Sequence, residues 1–419
     1  MDIKKNFNKN KRRVWWILAG LVIAALLLSQ LPPIRSRLEW RLQIAWAYVR
    51  GVVNPVKPLP TPLPTLSTPT ALPTETPTPA PTPTMTATVV LSPTPTATPT
   101  PLPGQVQLPS PLIEYEEINA CGPATLTMYL RYYGWQGTQK DISAIVKSVR
   151  TDRNVNVDEL TYYVRNYAGW LNAEYRVGGN LDLLRALLAQ GLPVMIEGSF
   201  YLDQSYWPND DRWAGHYLLL TGYDDATQIF TIQDSERGPD QKVPYATLQK
   251  DWQSFNYVYI LVYPPEQQPF VQAILGENWD PDQNRRNALA LAEQQTQSDP
   301  QNAFAWFNLG TNLVYFERYS EAATAYDQAR TLGLPQRMLR YQFGPFIAYF
   351  NVVRNDDLLA LTEYALQRTP NSEEALLWRG WALYRAGDKQ AALAAFNEAL
   401  QTRPDYADAL YAIQFVNQN

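Results

Sequence analysis

Cysteine and histidine are almost absent. The 419-residue chain holds one of each, Cys121 and His216. No disulfide can form within it, and two such side chains by themselves make no zinc site. They can make a thiolate–imidazolium pair, which needs one of each, far apart in sequence and adjacent in space. Net charge is also small: 35 Lys and Arg against 40 Asp and Glu, or −5. Such a balance gives no footprint for nucleic acid. Between about 54 and 104 the only charges are Lys57 and Glu75, and Pro and Thr dominate, as in Thr76-Pro77-Thr78-Pro79. Nothing there builds a core, so 54–104 reads as a disordered linker in extended polyproline-like form. At about 3.1 Å per residue its reach is on the order of 150 Å.

Charge of one sign is concentrated at the amino end. Lys4, Lys5, Lys9, Lys11, Arg12 and Arg13 precede an apolar run from Val14 to about Leu31. The run is long enough to span a bilayer as a single transmembrane helix, and Trp15 and Trp16 fit an interfacial belt. The basic flank predicts a cytoplasmic amino terminus with everything after the span outside, in a cell-membrane protein. A cleaved signal peptide is the alternative, but Ser29-Gln30-Leu31-Pro32-Pro33 lacks a small-x-small site. No cysteine lies at the end of the run to carry a lipid. In 34–53, Arg35, Arg37, Arg41 and Arg50 alternate with Leu38, Trp40, Leu42, Ile44, Trp46 and Val49. That suits an amphipathic helix on the outer leaflet or a helical stalk.

Cys121 stands at the start of a predicted helix. Pro123 suits a first turn, because its missing N–H would be unpaired there anyway. Leu126, Tyr129, Leu130 and Tyr133 share one helical face, and Gly134 stops the run. A thiol at a helix N-terminus meets the positive end of the macrodipole, which favours the reactive thiolate. Further helices are expected at 138–149, 157–167 and 181–190. Strands are expected at 193–196, 216–223, 229–233 and 257–263, with a hairpin at Asp224-Asp225-Ala226-Thr227. A helical half packed against an antiparallel sheet is an α+β arrangement. The aromatic, polar segment 201–211 just before His216 reads as a substrate lid or as a surface loop.

Cys121-Gly122-Pro123-Ala124 opening a helix, Gly215-His216-Tyr217 opening an apolar strand, and Asp234 ending the next strand resemble the papain-like cysteine peptidases of the double-glycine, bacteriocin-processing type. The resemblance covers 105–265. It implies Cys121 as nucleophile, His216 as general base and acid, and Asp234 as its orienting partner, with no metal or organic cofactor. It also implies a Gln before the Cys as the side-chain donor of the oxyanion hole. Here 114–119 is Glu-Tyr-Glu-Glu-Ile-Asn, so Glu116, Asn119 and Tyr115 are the candidates in its place.

Beyond about 266 the composition turns to Ala, Leu, Gln and Arg at helical spacing. Pro300, Pro335, Pro370 and Pro404 recur with a period near 35 residues, and Gly310, Gly344 and Gly380 keep step. Ala303-Trp306-Asn308-Leu309-Gly310, and Trp378-Gly380-Ala382-Leu383 with Ala391-Ala392-Phe396, resemble tetratricopeptide repeats, with a degenerate unit at 336–370. An all-α solenoid at 266–419 is implied, with a peptide or protein partner. Residues 270–419 are expected to fold without the rest. Tyr341, Phe343, Phe346, Tyr349 and Phe350 read as repeat core or as a binding face.

The expected layout is therefore a basic tail, membrane helix and stalk (1–53), a linker (54–104), a papain-like domain (105–265) and the repeats (266–419). The functional expectation is an extracytoplasmic cysteine peptidase acting on a peptide or protein. A catalytically impaired binding module and a cell-wall amidase are the alternatives.

Overall fold

The structure is a computed structural model, and it describes residues 15–16, 32–64, 101–147 and 155–418. Except for Trp15 and Trp16, the apolar run predicted to span a membrane lies outside these residues. Among the described residues no helix is long and apolar enough to cross a membrane. The stalk stretch is helical, as α1 (Pro32–Val53).

The first domain is built on an antiparallel sheet. Its strands are β1 (Gln105–Gln107), β2 (Asn172–Arg176), β3 (Val194–Tyr201), β4 (Trp213–Asp224), β5 (Ile229–Asp234), β6 (Gly238–Pro244) and β7 (Tyr259–Tyr263). Their order is β2-β7-β3-β4-β5-β6, with β1 paired to the far end of β4. Successive side chains of a strand face opposite sides. In β4, Tyr217 and Leu219 pack on α2 (Cys121–Tyr132), α3 (Gln139–Val146) and α4 (Val157–Tyr167). Leu218 and Leu220 face α5 (Leu181–Ala189), α6 (Tyr245–Gln253) and α7 (Gln268–Leu275) on the other side. Helices thus cover both faces, where a single helical half was expected. Helix starts follow local chemistry: Thr138 with Asp141, and Asn156 with Glu159, close capping boxes. Val271 and Leu275 of α7 pack in the sheet domain's core, so by packing that domain extends past residue 266.

The repeats run through α8 (Pro281–Ser298), α9 (Ala303–Tyr315), α10 (Tyr319–Leu332), α11 (Gly344–Asn351), α12 (Asn355–Arg368), α13 (Glu373–Arg385), α14 (Lys389–Thr402) and α15 (Ala407–Gln418). The recurrent glycine has a packing cause. A Cβ on Gly310 would lie 2.7 Å from the ring of Tyr326, so only glycine lets these two helices close up.

Two expectations are corrected by packing. The repeats are not a separate scaffold. Trp213, Phe255 and Val258 of the sheet domain share one core with Phe307, Leu339 and Phe346 of the repeats. Arg337 donates to both carboxylate oxygens of Asp210, at 2.6 and 2.7 Å, and to the Trp213 carbonyl at 3.1 Å. Trp207 Nε1 donates to Gln336 at 2.7 Å. The segment after β3 is therefore an interdomain clasp, because its acids and indole find partners on the repeats. Nor is the linker free throughout 54–104. Its first part, up to Pro64, lies on the repeats, where Leu59 joins their core. In the aromatic cluster, Phe346 and Tyr349 are buried core, whereas Tyr341 packs edge-on against Trp213 and reaches a cleft.

Candidate active site

Cys121 is the first residue of α2, so its backbone N–H has no intrahelical acceptor. Asn119, with φ of 55°, makes the left-handed turn that aims the chain into the helix. Thr125 Oγ1 donates to the Tyr217 carbonyl at 3.1 Å, tying α2 to the strand that carries His216. Across that strand, β3 and β5 flank β4, and Asp234 ends β5.

These elements bring the three predicted residues together. His216 Nε2 meets Asp234 Oδ1 at 2.9 Å, and the Cys121 Sγ lies within 4.8 Å of an imidazole nitrogen. With Nε2 engaged by Asp234, Nδ1 is the nitrogen left for the thiol. Asp234 Oδ1 also accepts from the N–H groups of Glu236 at 2.8 Å and Arg237 at 3.2 Å. Phe200 packs on the imidazole at 4.6 Å between centroids, and Arg237 covers the Phe200 ring. Burial would lower the pKa of His216. The bond to Asp234 and the nearby Cys121 and Glu116 outweigh burial and raise it well above the ordinary value. Burial likewise pushes Asp234 up, but the bond to His216, its charge and the two N–H donors hold this carboxylate below its usual range. The geometry therefore favours an imidazolium flanked by Asp234 and the thiol.

Of the three oxyanion candidates, Glu116 enters the site. Its Oε2 lies 3.7 Å from His216 Nδ1 and accepts from Ser235 Oγ at 2.7 Å. Burial raises its carboxyl above the usual value, against the opposing effects of His216 and Ser235. Asn119 lies on the rim, where its Oδ1 accepts from Arg340 of the repeats at 2.9 Å. Tyr115 is exposed and lies against Gly238, away from the thiol. The donor atoms of Glu116, Cys121 and His216 all lie within 4.8 Å of one another, a set that a divalent ion such as zinc would fit. The Glu116 carboxylate, which the count of Cys and His leaves out, is what completes this set.

Several residues of the site were not legible beforehand. Glu197 of β3 is buried in the cleft beside Tyr217, and burial pushes its carboxyl up to about 8. The cleft, about 520 Å³, runs on to Arg340 and Tyr341 of the repeats and to Trp46 and Arg50 of α1. A Cβ on Gly51 would lie 2.5 Å from Trp207 Cβ, so α1 sits directly against the clasp.

Comparison with known proteins agrees with this organisation. Residues 100–260 match the model of the Peptidase C39 like family, and residues 373–406 match the tetratricopeptide repeat. No curated protein matches the chain. Among solved structures, a Bacillus anthracis protein described as a C39-like peptidase is 18% identical, covering 38% of this chain and 96% of its own, with a TM-score of 0.30. A double glycine motif protease from an AMS/PCAT transporter, solved with its leader peptide, is 20% identical over 38% of this chain and 94% of its own, at 0.28. YrrB, a tetratricopeptide protein with an unusual peptide-binding site, is 22% identical over 32% and 68%, at 0.29. The chain thus joins a domain of the C39-like peptidase family, over residues 100–260, to tetratricopeptide repeats.

Proposed function

We propose that the protein is a cysteine peptidase whose cleft is completed by its repeats. The observation that carries this is the Cys121–His216–Asp234 cluster, with the imidazole bonded to an N–H-capped carboxylate and the Cys121 thiol within 4.8 Å of an imidazole nitrogen. In this reading the Cys121 thiolate attacks the peptide carbonyl carbon. The oxyanion takes the Cys121 N–H and the neutral carboxyl of Glu116 as donors. The C–N bond breaks as His216 passes its proton to the leaving amine, leaving a thioester. Water then gives its proton to His216 and attacks the thioester, and the carboxylate and thiol are released.

The repeats supply protein or peptide contacts, since Arg340 and Tyr341 line the same cleft. We further propose that the apolar run after Arg13 anchors the chain with its folded domains outside, on the strength of the basic flank. Protection of 101–418 from protease until the membrane is broken would reverse that orientation.

The test of the chemistry is digestion of denatured casein between pH 5 and 8, read by mass spectrometry, with Cys121→Ala as blank. New termini that need Cys121 support the peptidase. A second reading, a binding module with impaired catalysis, rests on Glu116 standing where a neutral donor is required. It takes over if wild type and blank give identical peptides while an iodoacetamide label still reaches Cys121.

A further inference from the structure

The docked part of the linker is read through its main chain by a buried ion pair. Arg330 of α10 donates from Nε to the Pro60 carbonyl at 2.9 Å and from Nη2 to the Thr61 carbonyl at 3.0 Å. Its Nη1 donates to Asp357 Oδ1 of α12 at 2.8 Å, and that same oxygen accepts the Leu63 N–H at 3.2 Å. The side chains of Arg330 and Asp357 are 1% and 4% exposed. Leu59 is buried in the apolar core that the repeats share with the sheet domain. The segment's main chain thus supplies two acceptors to the guanidinium and one donor to the carboxylate, and its seat is specific to backbone groups and one leucine. A proline-rich strand suits it, because polyproline conformation makes no internal hydrogen bonds and leaves its carbonyls free.

The seated segment defines a pattern: Leu-Pro-Thr, with the Leu in the apolar core, the carbonyls of the next two residues accepting from Arg330, and an N–H four residues after the Leu. Leu59-Pro60-Thr61-Pro62-Leu63 fulfils it in the structure. The linker sequence fulfils it twice more, in Leu63-Pro64-Thr65-Leu66-Ser67 and in Leu72-Pro73-Thr74-Glu75-Thr76. Leu91-Ser92-Pro93-Thr94-Pro95 does not, because Pro95 has no N–H.

We propose that the groove between α10 and α12 is an exchangeable site for Leu-Pro-Thr segments, for which the copies at residues 59, 63 and 72 of the linker compete. The seated copy sets the leash on α1. With Leu59 in the pocket only 54–58 separate α1 from the groove, and Trp46 and Arg50 stay at the catalytic cleft. Seating Leu63 or Leu72 would add roughly 12 or 40 Å of extended chain at about 3.1 Å per residue. α1 would then be free to leave the cleft.

The test uses the full chain carrying Leu59→Asp, Leu63→Asp and Leu72→Asp, its folding checked by melting. Fluorescent peptides corresponding to residues 57–63, 70–76 and 89–95 are titrated and followed by anisotropy. The first two should bind the variant, and at least tenfold more weakly to the wild-type chain, whose own copies compete. The 89–95 peptide, and the 57–63 peptide with its Leu replaced by Asp, should bind at least tenfold more weakly than the first two. If the variant unfolds, the same peptides are tried on Leu59→Asp alone, where residual competition from the other copies is expected to lower affinity without abolishing it. Absence of binding by 57–63 to a folded variant, or equal binding by 89–95, overturns the proposal.

Discussion

The Glu116 carboxylate lies 3.7 Å from Nδ1 of His216, while Ser235 Oγ donates to the same oxygen at 2.7 Å. A Glu in this place donates to an oxyanion only when protonated. Burial raises its pKa, so the neutral form persists into mildly acidic solution and falls away as pH rises. Wild-type turnover should therefore be highest in mild acid. Glu116→Gln keeps a donor at all pH and should be at least about tenfold faster at pH 7, given the 10²–10³ that one such donor is worth. Parallel pH–rate profiles measure this. A Gln variant equal to or slower than wild type at pH 7 would move the role to Asn119.

Glu197 predicts a pH-dependent stability. Burial raises its carboxyl from 4.5 to about 8. Between those values the folded protein keeps a proton that the unfolded chain has lost, so stability declines as pH rises through this window. Glu197→Gln cannot ionise. Its Tm should match wild type near pH 4 and exceed it by a margin that grows up to about pH 8. Thermal melts from pH 4 to 9 check this, and a constant offset would contradict it.

The Arg337–Asp210 pair holds the repeats to the loop that leads into β4. The two side chains are 4% and 0% exposed. Removing one partner of such a buried pair costs about 3–5 kcal/mol, because the other is left charged and unpaired. Arg337→Ala and Asp210→Ala should each lower Tm strongly, and the double variant should lose less than the sum. Additive losses in a double-mutant cycle would show that the pair is not coupled.

The shared core makes a prediction about domain autonomy. Cut at residue 276, the repeats would expose Phe304 and Tyr341 where Trp213 and Phe255 now cover them. The fragment 276–419 should aggregate or melt without cooperativity. A monomeric fragment with a sharp calorimetric transition would restore the separable scaffold expected from the repeat pattern.

How much of this was legible follows the range of the interactions. The helix at Cys121, the strand at His216, the strand ending in Asp234 and the repeat period all announce themselves in a few neighbouring residues. The edge strands β2 and β6 did not, because Asn172–Arg176 and Gly238–Pro244 are mostly polar and take their conformation from a paired neighbour.

The sequence by itself determined which residues could form a thiol–imidazole pair: with one thiol and one imidazole, no other pair is available. Local periodicity likewise determined where the helical repeats run. Only the tertiary structure decided that Glu116 and not Tyr115 enters the site, that the repeats and α1 wall the cleft, and that residues up to Pro64 are strapped to the repeats. Each of these rests on contacts between segments hundreds of residues apart, such as Leu63 with Asp357 or Asn119 with Arg340. No local pattern encodes such pairs, because their partners are chosen by the packing of whole domains.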